Sequence, residues 1–211
     1  MEFLRNAKLI FWDFDGVIKD SVEVKTRAFI ELFQVYGGDV VERVRKHHEA
    51  HGGMSRLEKL PLYLQWAGEE TTQSRVNELG HQFGQLVLQA VIDAPWVPGA
   101  EVFLRSNPYR QIFVLVSATP QVELETILKA LDLTGCFAAV YGTPVLKQNA
   151  IRMVLSARGL DPHDCLMIGD ARADLEAAEV NRVPFLLRCH ETNSRAFAAY
   201  VGPSVKDFTA L

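Results

Sequence analysis

The sequence predicts an open, Rossmann-like α/β fold with a parallel sheet and a helical insertion. Two observations carry that expectation. Five short apolar runs, at residues 8–13, 111–117, 138–141, 165–168 and 184–187, are nearly continuous in apolar character rather than alternating, as strands buried on both faces of a parallel sheet are. Helical periods separate the later runs, and a stretch of about ninety residues between the first two carries helical periods and no strand signal.

The 211 residues suit one domain, or one domain with an insertion. An apolar and aromatic share of 48% is enough for a sizeable core and is not a disordered composition. The formal net charge of −4 gives no electrostatic case for nucleic acid or an anionic membrane as partner. Cys136, Cys165 and Cys189 form an odd set without a CxxC pair, so they read as free thiols in a reducing compartment. The N-terminal MEFLRNAKLIF lacks the apolar region of a signal peptide, and no apolar run approaches the ~20 residues that span a bilayer. A cytoplasmic location is the expectation; oligomeric state is left open.

Each element follows from local pattern. The first strand, residues 8–13, ends in Asp13 and is followed by Asp15. Residues 22–36 form a helix closed by Gly37-Gly38, and residues 40–50 a second helix closed before Gly52-Gly53. Ser55 caps a third, running to about Trp66 with a bend at Pro61. Thr71 or Thr72 starts a fourth that reaches Val91. Trp66 and the Leu57, Leu60, Leu64 stripe belong to the core of this helical unit. Ala94-Pro95-Trp96-Val97-Pro98-Gly99 reads as a stiff linker. The α/β unit is therefore expected over residues 1–18 and 96–211, with the insert over 21–93. Helices at 121–131, 149–158 and 173–180 complete the alternation, joined by right-handed crossovers.

In open α/β sheets, ligands bind beyond the carboxyl ends of the strands. Asp13 and Asp15 sit at the first such end, Ser117 at the second, Lys147 after the third, and Gly169-Asp170 with Asp174 at the fourth. Four separate stretches thus bring an anionic cluster, a hydroxyl and a lysine to one edge. That set suits phosphoryl transfer. Asp13, with an ordinary carboxylate pKa of ~4, would be ionised and nucleophilic. Asp15 is placed to protonate a leaving oxygen and deprotonate water. Mg²⁺ would relieve the repulsion among the acids and toward phosphate. Lys147 adds a point charge, and Ser117 with nearby backbone N–H groups can hold phosphate oxygens.

Taken together, DFDGVIKDS, LVSATP, Lys147 in TPVLKQNA, and IGDARADL resemble the haloacid dehalogenase superfamily, in the branch with a helical cap inserted after the first strand. The resemblance covers essentially the whole chain. It implies that Asp13 forms an aspartyl-phosphate, that Asp15 is the general acid/base with its carbonyl on the metal, and that Ser117 and Ala118 bind phosphate. It further implies that Lys147 is the motif lysine, that Asp170 and Asp174 join Asp13 and Asp15 in binding Mg²⁺, and that Gly16-Val17-Ile18 is the turn on which the cap moves. Members that dehalogenate, or that cleave carbon–phosphorus bonds, generally lack the second acid, so Asp15 favours phosphate ester chemistry on a small phosphorylated metabolite.

HGGMSRLEKL resembles the cap segment of phosphoglycolate phosphatase and β-phosphoglucomutase relatives, which makes Arg56 a candidate substrate contact and Lys59 a weaker one. His47, His48 and His51 read as a solvated helix face rather than a metal cluster, and Arg172 and Arg188 have no motif support. Two alternatives to a phosphatase stand: a sugar-phosphate mutase, whose relatives usually carry histidine where this chain has Lys25, and a non-catalytic phospholigand-binding regulator.

Overall fold

The computed structural model describes residues 2–210. A short helix α1 (Glu2–Asn6) leads into β1 (Leu9–Trp12), which is buried along its whole length. Four helices of the insert follow: α2 (Val22–Phe33), α3 (Gly38–Ala50), α4 (Arg56–Trp66) and α5 (Gln73–Asp93). The chain then forms α6 (Ala100–Ser106), β2 (Ile112–Pro120), α7 (Gln121–Ala130), β3 (Ala139–Thr143), α8 (Lys147–Arg158), β4 (Cys165–Gly169), α9 (Arg172–Val180), β5 (Phe185–Arg188) and β6 (Ser204–Val205).

All strand pairs are parallel, in the order β3-β2-β1-β4-β5-β6. β1 is therefore central, and its carboxyl end is flanked by those of β2 and β4. The pleat divides the core in two. Ile10 and Trp12 of β1, with Phe113, Leu115, Leu166 and Ile168, pack on one face. Leu9 and Phe11, with Val114, Val116 and Met167, pack on the other. The first cluster runs on without a break into Phe29, Tyr63 and Phe83 of the inserted helices.

The insert leaves and rejoins the α/β unit through two linkers that lie side by side. The Asp20 N–H donates to Pro95 O at 2.8 Å, and the Val97 N–H to Ile18 O at 3.0 Å. Inside the insert, α4 begins at a reciprocal cap: Ser55 Oγ accepts from the Leu57 N–H, while Glu58 Oε2 accepts from the Ser55 N–H. The helix continues past Pro61 to Trp66. Thr72 caps α5 by accepting from the Arg75 N–H.

Several bounds differ from the sequence expectation. β2 runs to Pro120 rather than ending at Ser117, because its pairing with β3 resumes beyond a register shift between Val116 and Pro120. α8 opens at Lys147 itself, two residues earlier than expected. The sheet has a sixth strand, β6, two residues long and too short to carry a period-two signal. Among the described residues, no helix is long and apolar enough to cross a membrane. All three cysteines are free.

Candidate active site

β1 delivers Asp13 to the centre of the sheet edge, where its backbone N–H donates to Ile168 O of β4 at 3.0 Å. The side chain is almost fully buried. Lys147, the first residue of α8, places Nζ 2.7 Å from Asp13 Oδ1, close enough to pair by charge but without hydrogen-bond geometry. The same Nζ donates to Asp174 Oδ1 at 2.5 Å. Asp174 Oδ2 accepts from the backbone N–H groups of Asp170 (3.3 Å) and Ala171 (3.0 Å), so both oxygens of this fully buried side chain are engaged. Asp170 is held from the other side. His190 Nε2 lies 2.8 Å from Oδ2, and Asn193 donates to the Asp170 carbonyl at 2.8 Å.

Gly16 makes this crowding possible. At φ +75 it takes a backbone shape that side chains resist, and a Cβ there would sit 2.2 Å from Asp170 Oδ2. Across the cavity, Gly53 at φ +77 brings the α3–α4 loop onto the core; a Cβ there would meet Ala171 and Ala173 at 3.1 Å.

Asp15 is fixed by three donors. Ser21 Oγ donates to Oδ1 at 2.7 Å, Lys25 Nζ to Oδ2 at 2.5 Å, and Thr119 Oγ1 to Oδ2 at 3.3 Å. Lys25 also reaches Thr119 Oγ1 at 2.9 Å, so α2 and β2 meet over this carboxylate.

The electrostatics set the four acids apart. Burial and the charge of Asp174 lift Asp13 to about 7 against the pull of Lys147, whereas the sequence alone gave it an ordinary carboxylate value. Burial likewise raises Asp170, outweighing the hydrogen bond from His190, and raises Asp174, outweighing Lys147. Asp15 goes the other way. Burial pushes it up, but the charge and hydrogen bond of Lys25 outweigh that and hold it below the usual carboxylate range. Burial would lower Lys147, yet Asp13 and Asp174 together raise it.

One oxygen from each of Asp13, Asp170 and Asp174 lies within 4.8 Å of the others. Hard oxygen donors so grouped fit Mg²⁺. Because Asp174 already has protein partners on both oxygens, Asp13 and Asp170 offer the freer side-chain atoms.

These groups open into a cavity of about 80 Å³ between the sheet edge and the insert. Asp13, Asp15, Ala118, Lys147 and Asp170 line it from the α/β unit, and Lys25, Arg56 and Lys59 from the helices. Ser117 reaches the same strand end but lies behind this wall, its Oγ accepting from the Thr119 N–H at 3.1 Å; Ala118 and Thr119 form the wall itself.

In the insert, Arg56 is neither solvated nor free. It is buried, donates to Glu123 Oε1 of α7 at 2.6 Å and to Gly80 O at 3.1 Å, and lies 4.5 Å over the Phe83 ring. The three histidines do not share a solvated face. His48 is buried against Phe29 and bonded to Lys59, while His47 stacks on His51 and bonds Tyr63. Arg172 turns away to Ala196 O, and buried Arg188 lies 3.5 Å from Asp20. Sequence reasoning placed the acids and Lys147 but missed Thr119, Glu123 and His190. Thr119 stood two residues past an expected strand end that proved too early, and Glu123 and His190 had no motif around them.

A family model described as "Hydrolase: haloacid dehalogenase-like hydrolase" matches residues 7–180. Phosphoglycolate phosphatase 1 of Pseudomonas aeruginosa is 25% identical over 191 residues; the match covers 83% of this chain and 66% of that protein's length. Among solved structures, CbbY from Rhodobacter sphaeroides in complex with phosphate superposes with a TM-score of 0.76 at 14% identity, covering 96% of this chain and 95% of the other. β-Phosphoglucomutase from Clostridium difficile gives 0.77 at 19% identity, covering 97% and 93%. At such identities the structural likeness speaks to the fold.

Proposed function

The chain belongs to the haloacid dehalogenase-like hydrolases, and from that premise we propose that it is a phosphatase acting on a small phosphorylated metabolite through an aspartyl-phosphate on Asp13. One observation carries the reading. Asp13 is a buried carboxylate that accepts no aligned hydrogen bond, stands in the wall of a cavity beside Lys147, and is followed two residues later by a second carboxylate. A structural aspartate at a strand end would be expected to spend its oxygens on nearby donors, as Asp174 does.

Asp13 Oδ attacks phosphorus as the bond from phosphorus to the leaving oxygen breaks, and the protonated form of Asp15 gives that oxygen its proton, leaving the carboxylate that Lys25 stabilises. Water then attacks the aspartyl-phosphate and Asp15 takes its proton, releasing phosphate and restoring Asp13. Lys147 balances charge on Asp13 and on the transferred group, and the strand end at Ala118, in the cavity wall, offers backbone N–H to phosphate oxygens. We assign the metal to Asp13, Asp170 and the carbonyl of Asp15. Mg²⁺ held there supplies positive charge that favours the ionised form of Asp13 and offsets its repulsion of phosphate. Asp174 supports this set by holding Lys147 and the 170–171 backbone.

Residue 25 favours hydrolysis over the mutase alternative. Mutase relatives usually carry histidine at that place, whereas this chain has Lys25, bonded to Asp15. The relatives' names, one for a phosphoglycolate phosphatase, agree with a small metabolite as substrate. We further propose that residues 21–93 act as a cap that closes over residues 1–18 and 96–211, hinged at the paired linkers. The free cysteines accord with a cytoplasmic setting.

Hydrolysis of p-nitrophenyl phosphate tests the reading. Turnover is expected with Mg²⁺ and is expected to vanish in excess chelator, returning when Mg²⁺ is restored. Undiminished turnover in chelator would sink the metal assignment, and none under either condition would sink the phosphatase.

A further inference from the structure

Four cations face the cavity: Lys25, Arg56, Lys59 and Lys147. Three have carboxylate partners. Lys147 pairs with Asp13 and Asp174, Lys25 with Asp15, and Arg56 with Glu123. Lys59 has none among the described residues. The residue is 1% exposed, yet among the described residues its only polar partner is His48, whose Nδ1 lies 2.9 Å from Nζ. His48 is itself buried, and burial with the charge of Lys59 holds it well below the usual histidine range. The neutral ring can only accept from the ammonium and brings no countercharge. The Phe29 ring, 5.9 Å from Nζ, is too distant to replace one.

A buried, uncompensated ammonium is costly, and here burial, then the charge of Lys25, pull Lys59 down to about 7. A methionine would fill the same space without that cost. Three features give the charge a use. Lys59 lies one turn from Arg56 on the same face of α4, the face turned to the cavity. His48 takes one of its three N–H donors and leaves two. The phosphate-reactive groups are on the α/β side of the same cavity, so a ligand held by Asp13 extends toward Lys59.

We propose that Lys59, backed by His48, is a second anion site that selects phosphorylated substrates bearing a further negative group away from the reacting phosphate. This deepens the phosphatase reading and rests on it. A molecule spanning the two walls of this cavity would carry its second anion a short way from the phosphate.

Three two-carbon phosphates form the test: phosphoethanolamine with an ammonium tail, ethyl phosphate with an uncharged tail, and 2-phosphoglycolate with a carboxylate tail. The full chain with Mg²⁺ is expected to show kcat/KM rising in that order. The carboxylate should be favoured over the neutral tail by tenfold or more, the size of one charge-assisted hydrogen bond. In Lys59→Met the ratio between those two should fall to near unity, and Lys59→Arg should recover part of it. Equal kcat/KM for all three in the parent protein overturns the site, as does a preference that survives Lys59→Met. Should none of the three be hydrolysed while p-nitrophenyl phosphate is, the same order is read from protection against thermal unfolding, where equal protection overturns the site and leaves the phosphatase standing. Should p-nitrophenyl phosphate also resist, the phosphatase fails, and the thermal order alone decides whether Lys59 recognises the second anion.

Discussion

On the floor of the cavity, Lys147 lies 2.7 Å from Asp13 and 2.5 Å from Asp174, and Lys25 reaches down to Asp15 at 2.5 Å. On the roof, Arg56 crosses to Glu123 at 2.6 Å, and Lys59 meets only the neutral ring of His48 at 2.9 Å. The floor is balanced: its cations and acids come from separate elements, Lys25 reaching it from the insert, but meet at one strand edge, where Asp13 and Asp174 raise Lys147 and Lys25 lowers Asp15. The roof is not. One of its cations is tied to the opposite unit, and the other lacks a countercharge. A balanced floor can serve the same chemistry on any phosphate ester, whereas an unbalanced roof responds to what the rest of the molecule brings. On the proposed reading, chemistry and selectivity fall to opposite walls.

The floor should fail most severely. Asp13→Asn preserves shape but removes the attacking oxygen anion, and turnover of p-nitrophenyl phosphate is expected to fall by roughly a thousandfold or more. The fold should persist, because burial already raises Asp13 to about 7 and a neutral amide costs less there than a carboxylate. Steady-state kinetics beside a circular dichroism melt measure both. Near-parental turnover would remove Asp13 from the chemistry.

The floor was also the legible half. Asp13, Asp15, Lys147, Asp170 and Asp174 stand next to apolar runs whose burial the sequence announces, and parallel strands must deliver their carboxyl ends to one edge. Strand order then needs no long-range guess for these residues to meet. The roof depends on how helices rotate against each other, which periodicity bounds only loosely. Lys59 and His48 lie on different helices, eleven residues apart, and nothing local says that they touch. His48 looked solvated because polar neighbours surround it in sequence, yet it turns inward against Phe29. Glu123 was unreadable as Arg56's partner because sixty-seven residues separate them. The sixth strand escaped for a simpler reason, being two residues long at the sheet margin.

The Arg56–Glu123 pair is the next largest effect and ties the two walls together. Both side chains are nearly buried, at 6% and 13% exposure. Removing one partner leaves the other charge in a poorly solvated place, so Arg56→Ala is expected to cost roughly 3 kcal/mol in denaturant unfolding, near the low end for broken buried pairs. The double change Arg56→Ala with Glu123→Ala should cost less than the two single changes together. Strict additivity would mean that the two side chains are neighbours without being a unit. In that case the bridge does not hold α4 to α7, and Arg56 returns to being a substrate contact.

The smallest effect concerns Lys59 and has the opposite sign. Its pKa falls from an ordinary value near 10.5 to about 7, chiefly through burial. Below pH 7 the side chain is charged in both the folded and unfolded states, and folding bears the full cost of burying that charge. Between about pH 7 and 10.5 the folded form has lost the proton while the unfolded form still holds it, so this group makes stability rise with pH across that window. The shift corresponds to at most about 5 kcal/mol, and the loss of the His48 hydrogen bond and relaxation of the site reduce what a substitution recovers. Lys59→Met is therefore expected to raise stability by roughly 1–2 kcal/mol at pH 6, or about 2–8 °C in Tm for a chain of this size. The advantage should shrink steadily as the pH is taken toward 10. Calorimetry across that range, without substrate, reads it directly. A methionine variant less stable than its parent at pH 6 would make Lys59 a strut that the roof needs for its own packing. A more stable variant would mean that the lysine is kept at a cost to the fold, as residues retained for a ligand are.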